Sequence, residues 1–214
     1  MPSRGLVRRT VGQVRRRRLG SRRQLEDFYA SAHDPFGFDD NPYEQGKYDD
    51  TLAALGDGAL GRVLEVGCAV GTFTEQLAPR CRELVAVDVA QAAVDRTRQR
   101  LAGSPQVRVE RLDFPDELPV GPFDLVLCSD VLYYLSVRRL RRCLDQLADL
   151  VPVGGRIASL HFLGDFGAPT SGDEVHDLQR EVWAGAFEHV VEEHRRDVGP
   201  RGAGYRLDVY RKAS

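Results

Sequence analysis

One short run in this chain could hold a nucleoside. It is Glu65-Val66-Gly67-Cys68-Ala69-Val70-Gly71, and it follows an apolar segment that reads as a buried strand. Gly67 lets the chain turn sharply, and Gly71 lets a helix start close to the strand. The small residues between them, Cys68 and Ala69, leave backbone groups open to a ligand. A dinucleotide site usually shows Gly-x-Gly-x-x-Gly. Here Ala69 replaces the middle glycine, and Glu65 would repel a pyrophosphate. Both features suit a nucleoside with a short amino-acid tail, whose ammonium Glu65 would meet. Asp88, followed by Val89, closes the next strand. A carboxylate there accepts from both ribose hydroxyls and disfavours a 2′-phosphate. Asp113 is placed to meet an adenine amino group, with Phe114 beside the ring. Ser129 and Asp130 end a fourth strand, facing the reacting end of such a ligand.

These residues need a particular scaffold. Strands are expected over 61–66, 83–88, 107–112, 122–129 and 155–162, with helices over 72–79, 90–101 and 137–150. The alternation implies an α/β fold, a mostly parallel sheet with helices on both faces. Two later alternating runs, 187–194 and 205–211, flank a Gly/Pro/Arg turn. They suit an antiparallel edge hairpin, giving seven strands. Residues 41–55 read as an amphipathic helix over the sheet. Ligands in such folds bind at the carboxyl ends of the strands, near the switch in strand order.

The chain has 214 residues, 30 basic and 32 acidic, with four cysteines. That length suits one domain. No apolar run approaches a membrane span, and the cysteine spacing supports neither a zinc site nor a disulfide framework. Residues 1–23 hold nine arginines and no acid, so the remainder is acidic, with 21 basic against 32 acidic groups. The arm is read as a solvated tail rather than a nucleic-acid contact, because an acidic body repels phosphates. No apolar segment follows it as a signal peptide requires, so a cytoplasmic protein is expected, of GC-rich bacterial origin by its Arg and Ala usage.

Val63-Leu-Glu-Val-Gly-Cys-Ala-Val-Gly71, Asp88, Asp113 and Phe123-Asp-Leu-Val-Leu-Cys-Ser-Asp130 together resemble class I S-adenosylmethionine-dependent methyltransferases, which have a Rossmann-like seven-stranded sheet. Val151-Pro-Val-Gly-Gly-Arg156 fits that pattern too. More narrowly, residues 41–211 are similar to the nodulation protein S family. The motifs are Tyr43-Glu-Gln-Gly-Lys-Tyr-Asp-Asp-Thr-Leu52, Val131-Leu-Tyr-Tyr-Leu135, Gly172-Asp-Glu-Val-His176 and Tyr205-Arg-Leu-Asp-Val209. The basic arm, over 1–24, has no counterpart in that family; the remainder is expected to be one methyltransferase domain over 25–214, with N-terminal cap helices over 25–58 and the core over 59–214. The resemblance implies S-adenosylmethionine as cofactor and N-methylation of an amino sugar in a chitin-like saccharide.

On this basis Lys47 and Tyr48 join Glu65, Gly67, Cys68, Ala69, Gly71, Asp88, Val89, Asp113, Phe114 and Ser129 as cofactor residues. His161, His176 and Asp130 are the candidates to take a proton from the acceptor. Tyr133, Tyr134 and Asp173 are the acceptor-binding candidates, one tyrosine walling the acceptor and one packed under the next helix. Asp130, Asp173 and Glu174 would give the acceptor pocket its negative charge. Three rival functions remain at this point. One is O-methylation of a sugar or natural-product hydroxyl. Another is nucleic-acid methylation guided by the arm. The third is nicotinamide-dependent oxidoreduction, which Ala69 and Glu65 disfavour.

Overall fold

A computed structural model describes residues 22–213. Residues 1–21 of the basic arm lie outside this range, while Arg22 and Arg23 begin a helix. The helices are α1 (Arg22–Ser31), α2 (Pro42–Ala54), α3 (Thr72–Leu77), α4 (Gln91–Arg100), α5 (Val137–Leu150) and α6 (Gly172–Val182). The strands are β1 (Leu60–Val66), β2 (Cys81–Asp88), β3 (Val107–Arg111), β4 (Leu125–Ser129), β5 (Arg156–Phe162), β6 (Phe187–Arg195) and β7 (Tyr205–Lys212). They form one sheet in the order β3-β2-β1-β4-β5-β7-β6. β1 to β5 pair in parallel, and β7 runs antiparallel to both β5 and β6. The expected fold class is therefore what the chain adopts.

The residue types explain the layers. β1, β2 and β4 are interior strands covered on both faces, so they read as continuous apolar runs, with Val63, Leu64, Leu84, Val85, Val126 and Leu127 fully buried. Helix α5 buries Leu140, Cys143, Leu144 and Leu147, the i, i+3, i+4, i+7 stripe of an amphipathic helix. Truncating one of these leucines to Ala should cost about 2–5 kcal/mol through lost burial and the cavity left behind.

Helix α6 was not expected from the pattern of the chain. It starts in a capping box in which Ser171 and Glu174 bond each other's backbone N–H groups. Its buried face carries His176 and Gln179 beside Val175 and Leu178, and those polar members blur the apolar stripe. Helix α1 ties the N-terminal segment to the sheet layer. Its Glu26 carboxylate accepts from the N–H groups of Gln91 and Ala92, at 2.7 and 3.2 Å. Glu26 thus serves the amino end of α4, whose own N-cap, Ala90, has no side-chain acceptor. The strand order reverses between β1 and β4, so the crevice of an open sheet opens there.

Candidate functional site

A cavity of about 540 Å³ lies over the carboxyl ends of β1, β2, β4 and β5, within the usual size of small-molecule sites. Its first half is built by the turn after β1. The N–H groups of Gly67 and Cys68 both donate to the Val87 carbonyl, at 2.8 and 3.0 Å, pinning the turn to β2. Gly67 has φ of +79°, and a Cβ there would stand 3.0 Å from Val131. Only glycine meets both constraints without strain. Ala69 is also left-handed, with φ of +51°. Its N–H donates to Asp88 Oδ2 at 3.0 Å, and its carbonyl accepts from the Thr97 hydroxyl at 2.9 Å. The other Asp88 oxygen accepts from Ala90 N–H at 2.9 Å. Asp88 is buried, and that burial pushes its carboxyl up to about 6 despite these bonds.

Glu65 sits under the same turn. It is buried, its Oε2 has no partner, and burial pushes its carboxyl up to about 7. An orphaned buried oxygen at a cavity wall is a place for a ligand donor. Val89, Asp113, Phe114, Ser129, Cys68 and Tyr48, named above as cofactor residues, line the cavity. Burial raises the Cys68 thiol well above its ordinary range, which leaves it a space-filling residue. Gly71 does not line the cavity. It caps α3 with φ of +82°, and a Cβ there would collide with Thr97 of α4, so its role is to let two helices approach.

The second half lies over β4 and β5. Asp130 has φ of +52°, uncommon for a residue with a side chain. Its N–H donates to the Leu160 carbonyl and its Oδ1 accepts from Phe162 N–H, each at 2.8 Å. Its Oδ2 takes the ammonium of Lys47, which also donates to Glu44 Oε2 at 2.7 Å. Burial opposes the Lys47 charge, but Asp130 and Glu44 together hold it above its ordinary value. Two expectations change here. Lys47, expected among the cofactor residues, has its ammonium committed between two carboxylates. Asp130 has both oxygens engaged, which makes it a brace for β5 and α2 rather than a free proton acceptor.

The aromatic wall holds both tyrosines. Tyr133 and Tyr134 line the cavity with ring centroids 4.9 Å apart, and Phe166 stands 4.7 Å from Tyr133. The two differ in depth: Tyr133 is buried in the main apolar core as well as touching the cavity, while Tyr134 is half-buried. Tyr43, Glu44, Phe162 and Asp165 complete this half, while Tyr29, Phe36 and Phe38 roof the first.

Other expectations also change. His161 and His176 are fully buried and off the cavity wall. Asp173 is exposed on the first turn of α6 and is not among the lining residues, and Glu174 is spent in the capping box. The acidic groups that do face the second half are Glu44, Asp130 and Asp165. Glu44 was legible in principle, because it stands three residues before Lys47 on a helix, the spacing of an ion pair. Phe36 and Phe38 carried no signal beyond being aromatic. Among the described residues there is no metal-binding group of three or more His, Cys, Asp or Glu, and no helix is long and apolar enough to cross a membrane.

The family model for nodulation protein S (NodS) matches residues 20–159. The chain belongs to the nodulation protein S family. It is 35% identical over 136 residues to nodulation protein S of Rhizobium tropici, covering 63% of this chain and 57% of that protein. To its counterpart in Sinorhizobium fredii it is 36% identical over 129 residues, covering 59% and 60%. The chain thus spans less than two thirds of these curated relatives. Among solved structures it resembles the N-methyltransferase NodS from Bradyrhizobium japonicum WM9 in complex with S-adenosyl-L-homocysteine. The TM-score is 0.79 at 27% identity, over 91% of this chain and all of that one. Magnesium protoporphyrin IX methyltransferase from Synechocystis, at 18% identity and TM-score 0.69, shares the fold of this NodS-family chain.

Proposed function

We propose that this chain is an S-adenosylmethionine-dependent methyltransferase whose acceptor is an amine on a saccharide. The observation that carries the first part is the pairing of an orphaned Glu65 oxygen with the Gly67 cradle and the Asp88 carboxylate at one end of the cavity. These residues fit the cofactor. Glu65 would take its ammonium, Asp88 its ribose hydroxyls, and Asp113 with Phe114 its adenine. A Cβ at position 67 would occupy the cradle. The bound group supplies a methyl on a sulfonium, which departs as a neutral thioether. The NodS structure with S-adenosyl-L-homocysteine, the product of that loss, supports this reading.

The acceptor half supports an amine. Glu44 and Asp130 hold the Lys47 ammonium between them, Asp165 adds a further carboxylate to the lining, and the wall beside them is aromatic. Acidic groups attract an alkylammonium, and tyrosine rings stack on sugar faces while their hydroxyls bond. Nitrogen attacks only once it is neutral. Glu44 is the residue for that proton, because burial, opposed by Lys47, pushes its carboxyl above the ordinary range. Asp130 holds Lys47 and the end of β5 in place, and the aromatic wall orients the acceptor. Positioning of this kind supplies much of the rate.

The test has two steps. Calorimetry with S-adenosyl-L-homocysteine reports the cofactor end. Methyl transfer onto a glucosamine tetramer, compared with its fully N-acetylated form, reports the acceptor end. The expected result is binding, and one added methyl located on nitrogen by fragmentation. Transfer to a hydroxyl of the acetylated tetramer would replace the amine reading with O-methylation, and absence of binding would overturn the cofactor assignment.

A further inference from the structure

The two histidines expected at the active edge are instead joined in a buried chain behind it. Leu132 N–H donates to His161 Nε2 at 3.3 Å. His161 Nδ1 lies 3.2 Å from His176 Nε2, and His176 Nδ1 lies 2.7 Å from Asp208 Oδ2. All three side chains are fully buried. Only one arrangement of protons satisfies every link. A backbone N–H can only donate, so His161 Nε2 must accept, and a neutral His161 carries its proton on Nδ1. That proton points at His176 Nε2, which accepts, so His176 also carries its proton on Nδ1 and gives it to the carboxylate. The direction of the chain is set at both ends, by an amide that cannot accept and a carboxylate that does not donate.

Both ends touch elements with separate roles. Leu132 opens the turn 132–134 that carries Tyr133 and Tyr134, and the Tyr133 ring stands edge-on to His161 at 5.4 Å. Asp208 lies in the middle of β7, where Arg206 Nε is 3.2 Å from its Oδ2 and His189 Nε2 of β6 is 3.2 Å from its Oδ1. The turn has further supports, since Thr170 Oγ1 donates to the Leu135 carbonyl and Thr170 N–H to the Tyr133 carbonyl. The histidine chain is what links it to the antiparallel half of the sheet. Burial lowers both imidazoles, reinforced at His161 by His176 and opposed at His176 by Asp208, so both remain neutral.

We infer that Asp208, His176 and His161 are positioning residues, a directional hydrogen-bond chain that holds the Leu132 amide and thereby the tyrosine wall against which the acceptor docks. It rests on the acceptor reading above for its catalytic consequence, but its structural content can be tested without turnover. In the wild-type chain, imidazole nitrogen NMR should show the Nδ1–H tautomer at both His161 and His176. The Leu132 amide should exchange slowly. An Nε2–H tautomer at either residue overturns the inference.

For function, His176→Phe removes both links while keeping the ring volume, and His176→Gln can accept and donate once each. His176→Phe should speed Leu132 exchange and raise KM for the glucosamine tetramer by about tenfold, the size of one buried hydrogen bond. It should leave affinity for S-adenosyl-L-homocysteine within about twofold, and His176→Gln should restore most of the KM loss. Equal losses in cofactor affinity and KM, or no rescue by Gln, would mean a general packing role and overturn the inference. If the wild type binds no S-adenosyl-L-homocysteine, the functional proposal fails, and the tautomer and exchange results still judge the chain.

Discussion

Replacing Glu65 with Gln should make the empty protein more stable and the enzyme worse. The Glu65 carboxyl is buried with one oxygen unbonded, and the Thr74 hydroxyl beside it falls short of hydrogen-bond geometry, so it offsets the burial only in part. Its pKa rises from an ordinary 4.5 to about 7, a difference worth about 3 kcal/mol against the ionised form. Because the folded value lies above the unfolded one, the folded chain holds this proton more tightly. Stability from this site is therefore greatest below pH 4.5, declines as pH rises to about 7, and is level above that. A Gln side chain does not ionise. The two unfolding curves should coincide at the acid end and separate by up to about 3 kcal/mol at pH 8, or about 6–12 °C in Tm for a chain of this size. Binding runs the other way. Loss of a charge-assisted bond to an ammonium should weaken S-adenosyl-L-homocysteine by about 10- to 100-fold. Wild-type affinity should also fall as pH drops below about 7, while the Gln variant's should hold until Asp88 protonates near 6. Thermal unfolding from pH 4 to 8 and calorimetry over the same range measure both. Parallel unfolding curves, or unchanged affinity in the variant, would refute the reasoning.

Three further outcomes follow from the geometry. Gly67→Ala places a Cβ 3.0 Å from Val131 at φ of +79°, and should cost about 1–2 kcal/mol in urea unfolding together with cofactor affinity. Asp88→Ala strands the N–H groups of Ala69 and Ala90, and should cost about 2 kcal/mol or more in the same assay and abolish binding in calorimetry. Lys47→Met leaves Glu44 and Asp130 without their shared cation and should destabilise by about 3–5 kcal/mol. It should raise acceptor KM while sparing cofactor affinity, whereas a lysine that grips the cofactor would show the reverse.

The half of the cavity proposed for the cofactor was legible because it is made of backbone needs. A glycine in a left-handed turn and an aspartate at a strand end are local facts, and both leave marks in the chain. The acceptor half depends on how elements pack, and here reading failed where α6 was missed. On β5, Ser159 and His161 share a face, and that face meets Gln179 and His176 of α6. Without that helix in view, His161 looked like a free imidazole at the edge of the sheet. Its burial follows from the polar residues on the inner face of α6, the same residues that hid the helix. Glu44 escaped for a different reason. Its importance comes from Asp130, 86 positions away in the chain, which shares its lysine.

The place of β7 between β5 and β6 has a consequence for how the molecule assembles. β7 is the one strand that β6 pairs with, so the sheet offers β6 a place only beside β7, and the two are suited to dock as a hairpin. Until then β5 presents an unpaired flank, open to the same hairpin from another copy. Slow docking at high concentration would favour exchanged dimers in which each subunit borrows the other's Asp208. Subunit exchange in this protein should thus depend on residues 183–186, which join α6 to β6 and would have to open for the hairpin to leave its own subunit.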